Sequence, residues 1–260
     1  MDTKPIRYEK NDKIAVITLN RPENRNSMDP ETMPAFKKIL AQIQQDRELR
    51  CLIITGSGDT FCSGADFKSG LIKKDHPCLD NVLLNIYRPF LDIGKIKIPV
   101  IAAMNGHTVG GGLGLALMCD IRIANHKAKL GANFARLGLH SGMAISYLLP
   151  RLVGLPKSNE LLFTGAIITG EQAFKIGLVN YAVDESQVLE KALEIAIKIS
   201  SCAPVAVQMM KESIYQGLDW NPEKAAEMES KFQSQTFKME DADEGIKALL
   251  EKRAPEFKGR

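Results

Sequence analysis

Short apolar runs that end in glycine-rich turns alternate, through the first half of the chain, with stretches whose apolar residues recur at helical spacing. KIAVITLN (13–20) reads as a strand, and the turn RPENRNSMDP follows it, with Asp29-Pro30 starting a helix through about Gln45. CLIITG (51–56) is apolar throughout and stops at Gly56-Ser57-Gly58, the pattern of a buried strand feeding a loop. IPVIAAMNG (98–106) and CDIRIAN (119–125) repeat that design. Strands with no polar face need cover on both sides, so strands of this kind between helices predict an α/β layered fold.

From about residue 143 the pattern becomes helical: ISYLLPRLV, KSNELLF, GEQAFKIG, the long DESQVLEKALEIAIKISSC, and three more segments beyond Pro204. No internal repeat or low-complexity linker interrupts it. The expectation is one domain, with a core over 1–200 and a helical C-terminal region over 201–260.

Composition narrows the class. A chain of 260 residues, 45% hydrophobic and 25% charged, has the make-up of a globular protein with a sizeable core. Its 34 basic and 31 acidic residues leave a net charge of +3 with no long basic run, so charge gives no reason to expect nucleic acid. The five cysteines (Cys51, Cys62, Cys78, Cys119, Cys202) are odd in number, widely spaced and free of a C-x-x-C pair, which argues for a reducing cytoplasm rather than a disulfide framework. The opening residues carry no signal-peptide apolar segment, and no run reaches the roughly 20 apolar residues that span a bilayer. Four scattered histidines without ligand spacing predict no metal site.

The chemistry is expected at GGGLGLALMCD (110–120). It matches neither the G-x-G-x-x-G of dinucleotide folds nor a phosphate loop, and GLHSG (138–142) misses the nucleophile elbow because Ser141 stands one place too late. The first N–H groups of a helix lack intrahelical partners, and glycine lets a ligand oxygen approach them. A second glycine-containing loop, FCSGADFK (61–68), follows a predicted strand and offers another N–H. Two such donors on one oxygen make an oxyanion hole; the alternative is that these glycines only permit close helix packing.

FCSGADFK, IPVIAAMNGHTVGGGLGLALMCDIRIA, LLFTGAIITGEQAFKIGLVNYAV and EGIKALLEKRAPEFKG, in that order, resemble the crotonase family, the enoyl-CoA hydratase/isomerase superfamily. The resemblance covers nearly the whole chain. It implies a spiral of strand-strand-helix turns with a helical C-terminal trimerisation region, a homotrimer or dimer of trimers, and acyl-CoA thioester substrates with no cofactor beyond the coenzyme A that the substrate carries. By motif match the thioester oxygen would lie between the N–H groups of Ala65 and Gly111. Asp66, Phe67 and Lys68 would contact the bound acyl-CoA beside Ala65, and so would Phe257 and Lys258 near the C-terminus.

Hydratases of the family carry two glutamates for water activation and proton delivery, and this chain has Gly114 and Phe134 at those positions. The aryl-CoA dehalogenase branch attacks with an aspartate where this chain has Gly142. Of the residues near the expected acyl end, His140 is the titratable one in LGLHSGM, and it is a candidate acid/base beside the alternative of a loop hydrogen bond. His107, Asp66 and Asp120 are expected to be structural, with Asp66 turning its loop and Asp120 starting a strand; Arg136 is expected in an exposed salt bridge, and His76 and His126 in exposed segments without a role. Hydration or isomerisation of an enoyl-CoA is the nominal reaction. A decarboxylase or thioester hydrolase of the superfamily, or a non-catalytic CoA- or RNA-binding member, is the alternative.

Overall fold

The computed structural model describes every residue except 1–3, 67, 68, 71 and 74. A hairpin opens it, β1 (Ile6–Asn11) antiparallel to β2 (Ile14–Leu19), turning at Asp12 with φ 51°. The helix expected after Asp29-Pro30 is α1 (Thr32–Gln45), because the Asp29 carboxylate accepts from the Glu31 and Thr32 N–H groups at 3.0 and 2.7 Å and satisfies the orphan donors of its first turn.

Three passes of the same plan follow: β3 (Cys51–Gly56), β4 (Thr60–Cys62) and α2 (Leu79–Leu91); β5 (Val100–Met104), β6 (His107–Val109) and α3 (Gly111–Leu117); β7 (Ile121–Asn125), β8 (Lys129–Gly131) and α4 (Ile145–Thr164). Then come β9 (Ile168–Thr169), α5 (Gly170–Lys175), β10 (Tyr181–Val183), α6 (Glu185–Ser200), α7 (Pro204–Gly217), α8 (Pro222–Thr236) and α9 (Glu240–Glu251). The long strands form a sheet in the order β1-β2-β3-β5-β7-β10, and the short ones a second sheet, β4-β6-β8-β9. This is the strand-strand-helix spiral that the resemblance implies.

The register explains why β3, β5 and β7 are apolar on both sides. Leu52, Ile54, Val100, Ala102 and Ala124 point into the main core with α1 and α3. The alternate residues Cys51, Ile53, Ile101, Ala103 and Ile123 meet Val188, Ala192 and Ala196 of α6, small residues spaced four apart that let the helix close down on the sheet. Each fully buried Ile or Leu contributes about 1.5–3 kcal/mol relative to exposure, so the two-sided sheet is the framework on which the loops are mounted.

The helical expectation after residue 143 holds in outline, with two differences. ISYLLPRLV and KSNELLF are one element, α4, broken at Gly154, where φ 76° and ψ 161° are not helical. GEQAFK is introduced by the two-residue β9, and its N-cap Thr169 forms a capping box with Gln172. In the C-terminal region α7 and α8 bury no residue fully, and Met210, Ile214, Phe237, Leu249 and Leu250 stand exposed. Among the described residues no single helix is long and apolar enough to cross a membrane.

Candidate active site

The short strands β4, β6 and β8 end side by side, and the loops that leave them build the site. After β4, Ser63–Asp66 is pinned by main-chain bonds to the turn before α1: Ser63 N–H donates to Arg25 O at 3.1 Å, Met28 N–H to Gly64 O at 2.8 Å, and Asp66 N–H to Met28 O at 3.1 Å. That turn is itself held by the buried Asn26, whose amide donates to Ser57 O at 2.9 Å and Thr60 O at 2.6 Å. Gly64 turns the loop with φ 88°, which a side chain rarely allows.

The glycine run divides its labour. Gly110 adopts φ 58° and ψ −124°, open to glycine alone, and redirects the chain from β6 into α3. Gly112 packs on β4 so closely that a Cβ would fall 2.0 Å from Cys62 O. Between them Gly111 faces the first loop, where a Cβ on Gly64 would lie 2.7 Å from the Gly111 nitrogen and a Cβ on Gly111 would lie 3.8 Å from the Ala65 nitrogen. Among the described residues neither the Ala65 nor the Gly111 amide donates a hydrogen bond. Two unpartnered N–H groups thus stand next to each other, one of them at a helix start.

Cys62 precedes this pair but supplies no nucleophile. Its thiol is fully buried, accepts from Gly64 N–H at 3.4 Å, and is pushed up to about 12 by burial, so it stays protonated at neutral pH.

The surroundings of the pair are apolar where the resemblance to hydratases puts two glutamates. At Gly114 a Cβ would fall 2.3 Å from Met143 Cβ, so the buried Met143 side chain occupies the space a glutamate there would need. Met143 reaches this place because it and Ala144 both adopt left-handed backbone, φ 58° and 55°, a conformation that costs of order 1 kcal/mol or more for residues with side chains. Phe134 lies in a 3₁₀ turn with its ring toward Gly110, 3.9 Å from where a Cβ of that glycine would be. Gly142 abuts the Tyr87 hydroxyl of α2.

The other candidates fall as follows. His140 is exposed, and its Nδ1 lies 2.7 Å from Ser141 O; since a carbonyl accepts, Nδ1 carries the proton and Nε2 is left as an acceptor. His107 accepts from Lys129 N–H at 3.1 Å, and the Asp66 main-chain carbonyl accepts from Ser69 N–H at 3.3 Å within its loop. Asp120 precedes β7 but does more than start it: it accepts from Val100 N–H at 2.6 Å, Lys211 Nζ at 2.7 Å and the Tyr215 hydroxyl at 2.7 Å, fastening α7 to the sheet. Arg136 makes no ion pair among the described residues; its Nε donates to Thr164 O at 2.9 Å, because the unpaired carbonyls at the end of α4 are closer than any carboxylate. His126 is half-buried rather than exposed, bonded through Nδ1 to Val183 O at 3.0 Å.

The predicted coenzyme-A contacts are spread over two places. Phe67 and Lys68 lie outside the described residues. Phe257 and Lys258 belong to the C-terminal tail: Arg50 donates to Phe257 O at 2.5 Å, Lys258 N–H donates to Asp241 at 2.6 Å, and the Phe257 ring packs beside Gly245. In this chain these contacts are with α9 and with Arg50 just before β3, not with residues 63–66 or 110–112.

Comparison with known proteins decides the family. A family model described as enoyl-CoA hydratase/isomerase matches residues 9–260. The chain belongs to the enoyl-CoA hydratase/isomerase family. A short-chain-enoyl-CoA hydratase of Clostridium acetobutylicum is 36% identical over 264 residues, covering 100% of both chains. An (E)-benzylidenesuccinyl-CoA hydratase of Thauera aromatica is 36% identical over 256 residues, covering 98% of this chain and 99% of its own. The crystal structure of an enoyl-CoA hydratase from Bacillus anthracis superposes with a TM-score of 0.94 at 34% identity, covering 98% of this chain and 100% of the other. For an enoyl-CoA hydratase/isomerase the residues least legible in sequence were Tyr87, Met143 and Asn26. Only the R-N-S turn hinted at the last, and nothing in the local pattern marked the other two.

Proposed function

We propose that this protein acts on acyl-CoA thioesters, with the Ala65 and Gly111 amides binding the thioester oxygen and stabilising the enolate or tetrahedral oxyanion it becomes. One observation carries the reading: among the described residues two adjacent amides have no partner of their own, in loops fixed by glycines that tolerate no side chain. A hole of this kind strengthens as charge develops on the oxygen, so it lowers the barrier rather than merely holding the substrate. Family membership supports acyl-CoA as the substrate class, and hydration or isomerisation of an enoyl-CoA is the nominal reaction. Coenzyme A arrives with the substrate, held by Asp66, Phe67 and Lys68 beside the hole and by Phe257 and the exposed Lys258 of the tail. The apolar residues exposed on α7–α9 support assembly as a homotrimer or dimer of trimers.

Gly114, whose neighbouring space Met143 fills, and Phe134 at the carboxylate positions favour a second reading. Decarboxylation or hydrolysis of a thioester uses the oxyanion site without a pair of glutamates.

His140 serves in this proposal as the acid/base at the edge of the site, its Nδ1–H bond to Ser141 O presetting the tautomer that leaves Nε2 basic. The test follows loss of the conjugated double bond of crotonyl-CoA, with product mass, for wild type beside His140→Gln. Hydration by wild type with a drop of about 10²-fold in the variant is expected for a general base. Unchanged turnover in the variant removes His140 from the mechanism. Release of CO₂ from malonyl-type thioesters or of free CoA, with crotonyl-CoA untouched, replaces hydration by the second reading.

A further inference from the structure

The sheet face that α6 covers turns polar where the strands end. Two residues beyond Val16, Ile53, Ala103 and Ile123, which pack in the α6 cluster, the same face carries Thr18, Thr55, Asn105 and Asn125. Val188 is the first α6 residue buried on the sheet, so a cleft of about 870 Å³ opens between this polar row and the first turn of the helix. Most of the row is committed to its own fold: Thr55 donates to Ala103 O at 2.8 Å, Asn105 to Gly58 O at 2.7 Å and Asn125 to Asn105 O at 3.1 Å. The strand register adds Arg7, which faces Thr18 across the β1–β2 ladder and lines the cleft beside it. Among the described residues the Arg7 guanidinium makes no hydrogen bond or ion pair, and its Nε is buried without a partner. A buried N–H in that state is costly unless a ligand completes it.

We infer that this cleft binds a small polyhydroxylated molecule bearing one oxyanion, carboxylate or phosphate. The oxyanion pairs with Arg7, whose planar fork of donors matches two of its oxygens. Three carboxylates, Asp59, Asp184 and Glu185, line the same cleft, so an anion alone would meet their charge. Hydroxyls on the same molecule donate to those carboxylates, and they add no charge where Arg7 and Lys127 already stand. A cleft of this volume suits a metabolite rather than a bare ion. It opens beyond the carboxyl ends of the parallel strands β2, β3, β5 and β7, the place where open α/β sheets commonly hold ligands. The candidate active site lies elsewhere: Asp59, His107 and Ala128 line the cleft where β4, β6 and β8 begin, whereas the Ala65 and Gly111 loops leave the other ends of β4 and β6. The inference therefore stands apart from the acyl-CoA reading.

The test is calorimetry of wild type with ribose 5-phosphate and with gluconate, which share the hydroxyls and differ in the oxyanion. At least one is expected to bind with a dissociation constant of about 1 mM or lower, and the tighter names the oxyanion. Ribose and inorganic phosphate, each with half of the chemistry, are expected to bind at least about tenfold more weakly than that probe. Arg7→Gln is expected to weaken the same probe by about tenfold or more. Arg7→Lys, which keeps the charge and the strand but not the fork, should weaken it by less and guards against a folding effect in the first variant. Saturating coenzyme A should leave the constants unchanged. Binding of neither probe by wild type overturns the inference, as does binding by both Arg7 variants within about twofold of wild type. Displacement of the probe by coenzyme A overturns it as well, because the probe would then sit in the acyl-CoA site.

Discussion

The amide side of the candidate site and its side-chain-filled side are built by opposite means. On the first, Gly64, Gly110 and Gly112 are each forced by a positive φ or a backbone contact, the Ala65 loop is held by main-chain bonds that run back to Arg25 and Met28, and Gly110 N–H, just before Gly111, donates to Gly131 O. On the second, side chains do the filling: Met143, Phe134 and Tyr87 occupy the volume around Gly111 and Gly142. A backbone donor is removed by substitution only through proline, which lacks the N–H, whereas a side chain can be exchanged for any other. A family that keeps one oxyanion site and varies its reaction is expected to divide along this line, and the missing glutamates fall on the variable side.

Deleting one donor gives the largest effect that comparison predicts. Gly111→Pro removes the N–H at the first position of α3, where proline is tolerated in a helix. On whichever thioester wild type turns over, kcat is expected to fall by about 10²- to 10³-fold, the cost of one oxyanion donor. Circular dichroism should show an intact fold. A variant that keeps its kcat would mean that the Gly111 amide meets no developing charge.

Legibility in sequence followed the same division. The long strands were readable because two-sided burial writes an unbroken apolar run: CLIITG is β3, residue for residue, and IPVIAAMNG and CDIRIAN contain β5 and β7. The glycine loops were readable because backbone geometry selects a residue type. β4, β6 and β8 were not, since three residues are too few to show an alternation, and β1 was missed because its register with β2 leaves its later residues exposed. Helix α2 was the costliest omission. It carries Pro89 inside its last turn and lies in a segment with no motif, so Tyr87 could be found only from its position beside Gly142. His140 and Arg136 show the limit for side chains: the loop hydrogen bond that was one of two readings of His140 is made to Ser141 O, whereas Arg136, expected in a salt bridge, bonds the Thr164 carbonyl that no sequence pattern marks.

Putting a carboxylate back tests the variable side, with a smaller effect. In Gly114→Glu the new Cβ would fall 2.3 Å from Met143 Cβ, so the Met143–Ala144 turn must shift, and overpacking of this kind costs about 1–3 kcal/mol. The thermal midpoint is expected to drop without a gain in crotonyl-CoA hydration. Adding Met143→Ala removes the clash and should recover part of the midpoint. A stable single variant would mean that the Met143–Ala144 turn moves freely, and the apolar filling would then be no barrier to a glutamate.

The smallest effect concerns the thiols, and it separates a residue near the site from a residue in it. Cys51, Cys62 and Cys119 are buried and each is pushed up to about 12 by burial, while Cys78 and Cys202 are exposed. Alkylation with iodoacetamide at pH 7.5 should therefore label Cys78 and Cys202 and leave activity unchanged, although Cys62 adjoins the amide loop. Loss of activity with label on Cys62 would reverse that assignment. The same burial sets the alkaline behaviour of the fold. An unfolded thiol releases its proton near 8.5, whereas the folded one holds it to about 12. Across that window the native state binds more protons than the unfolded chain, so its stability is fully present below pH 8.5 and declines as pH rises toward 12. The thermal midpoint should fall over that range, and Cys62→Ala should make the fall shallower, because one of the three groups that hold a proton only when folded is then gone.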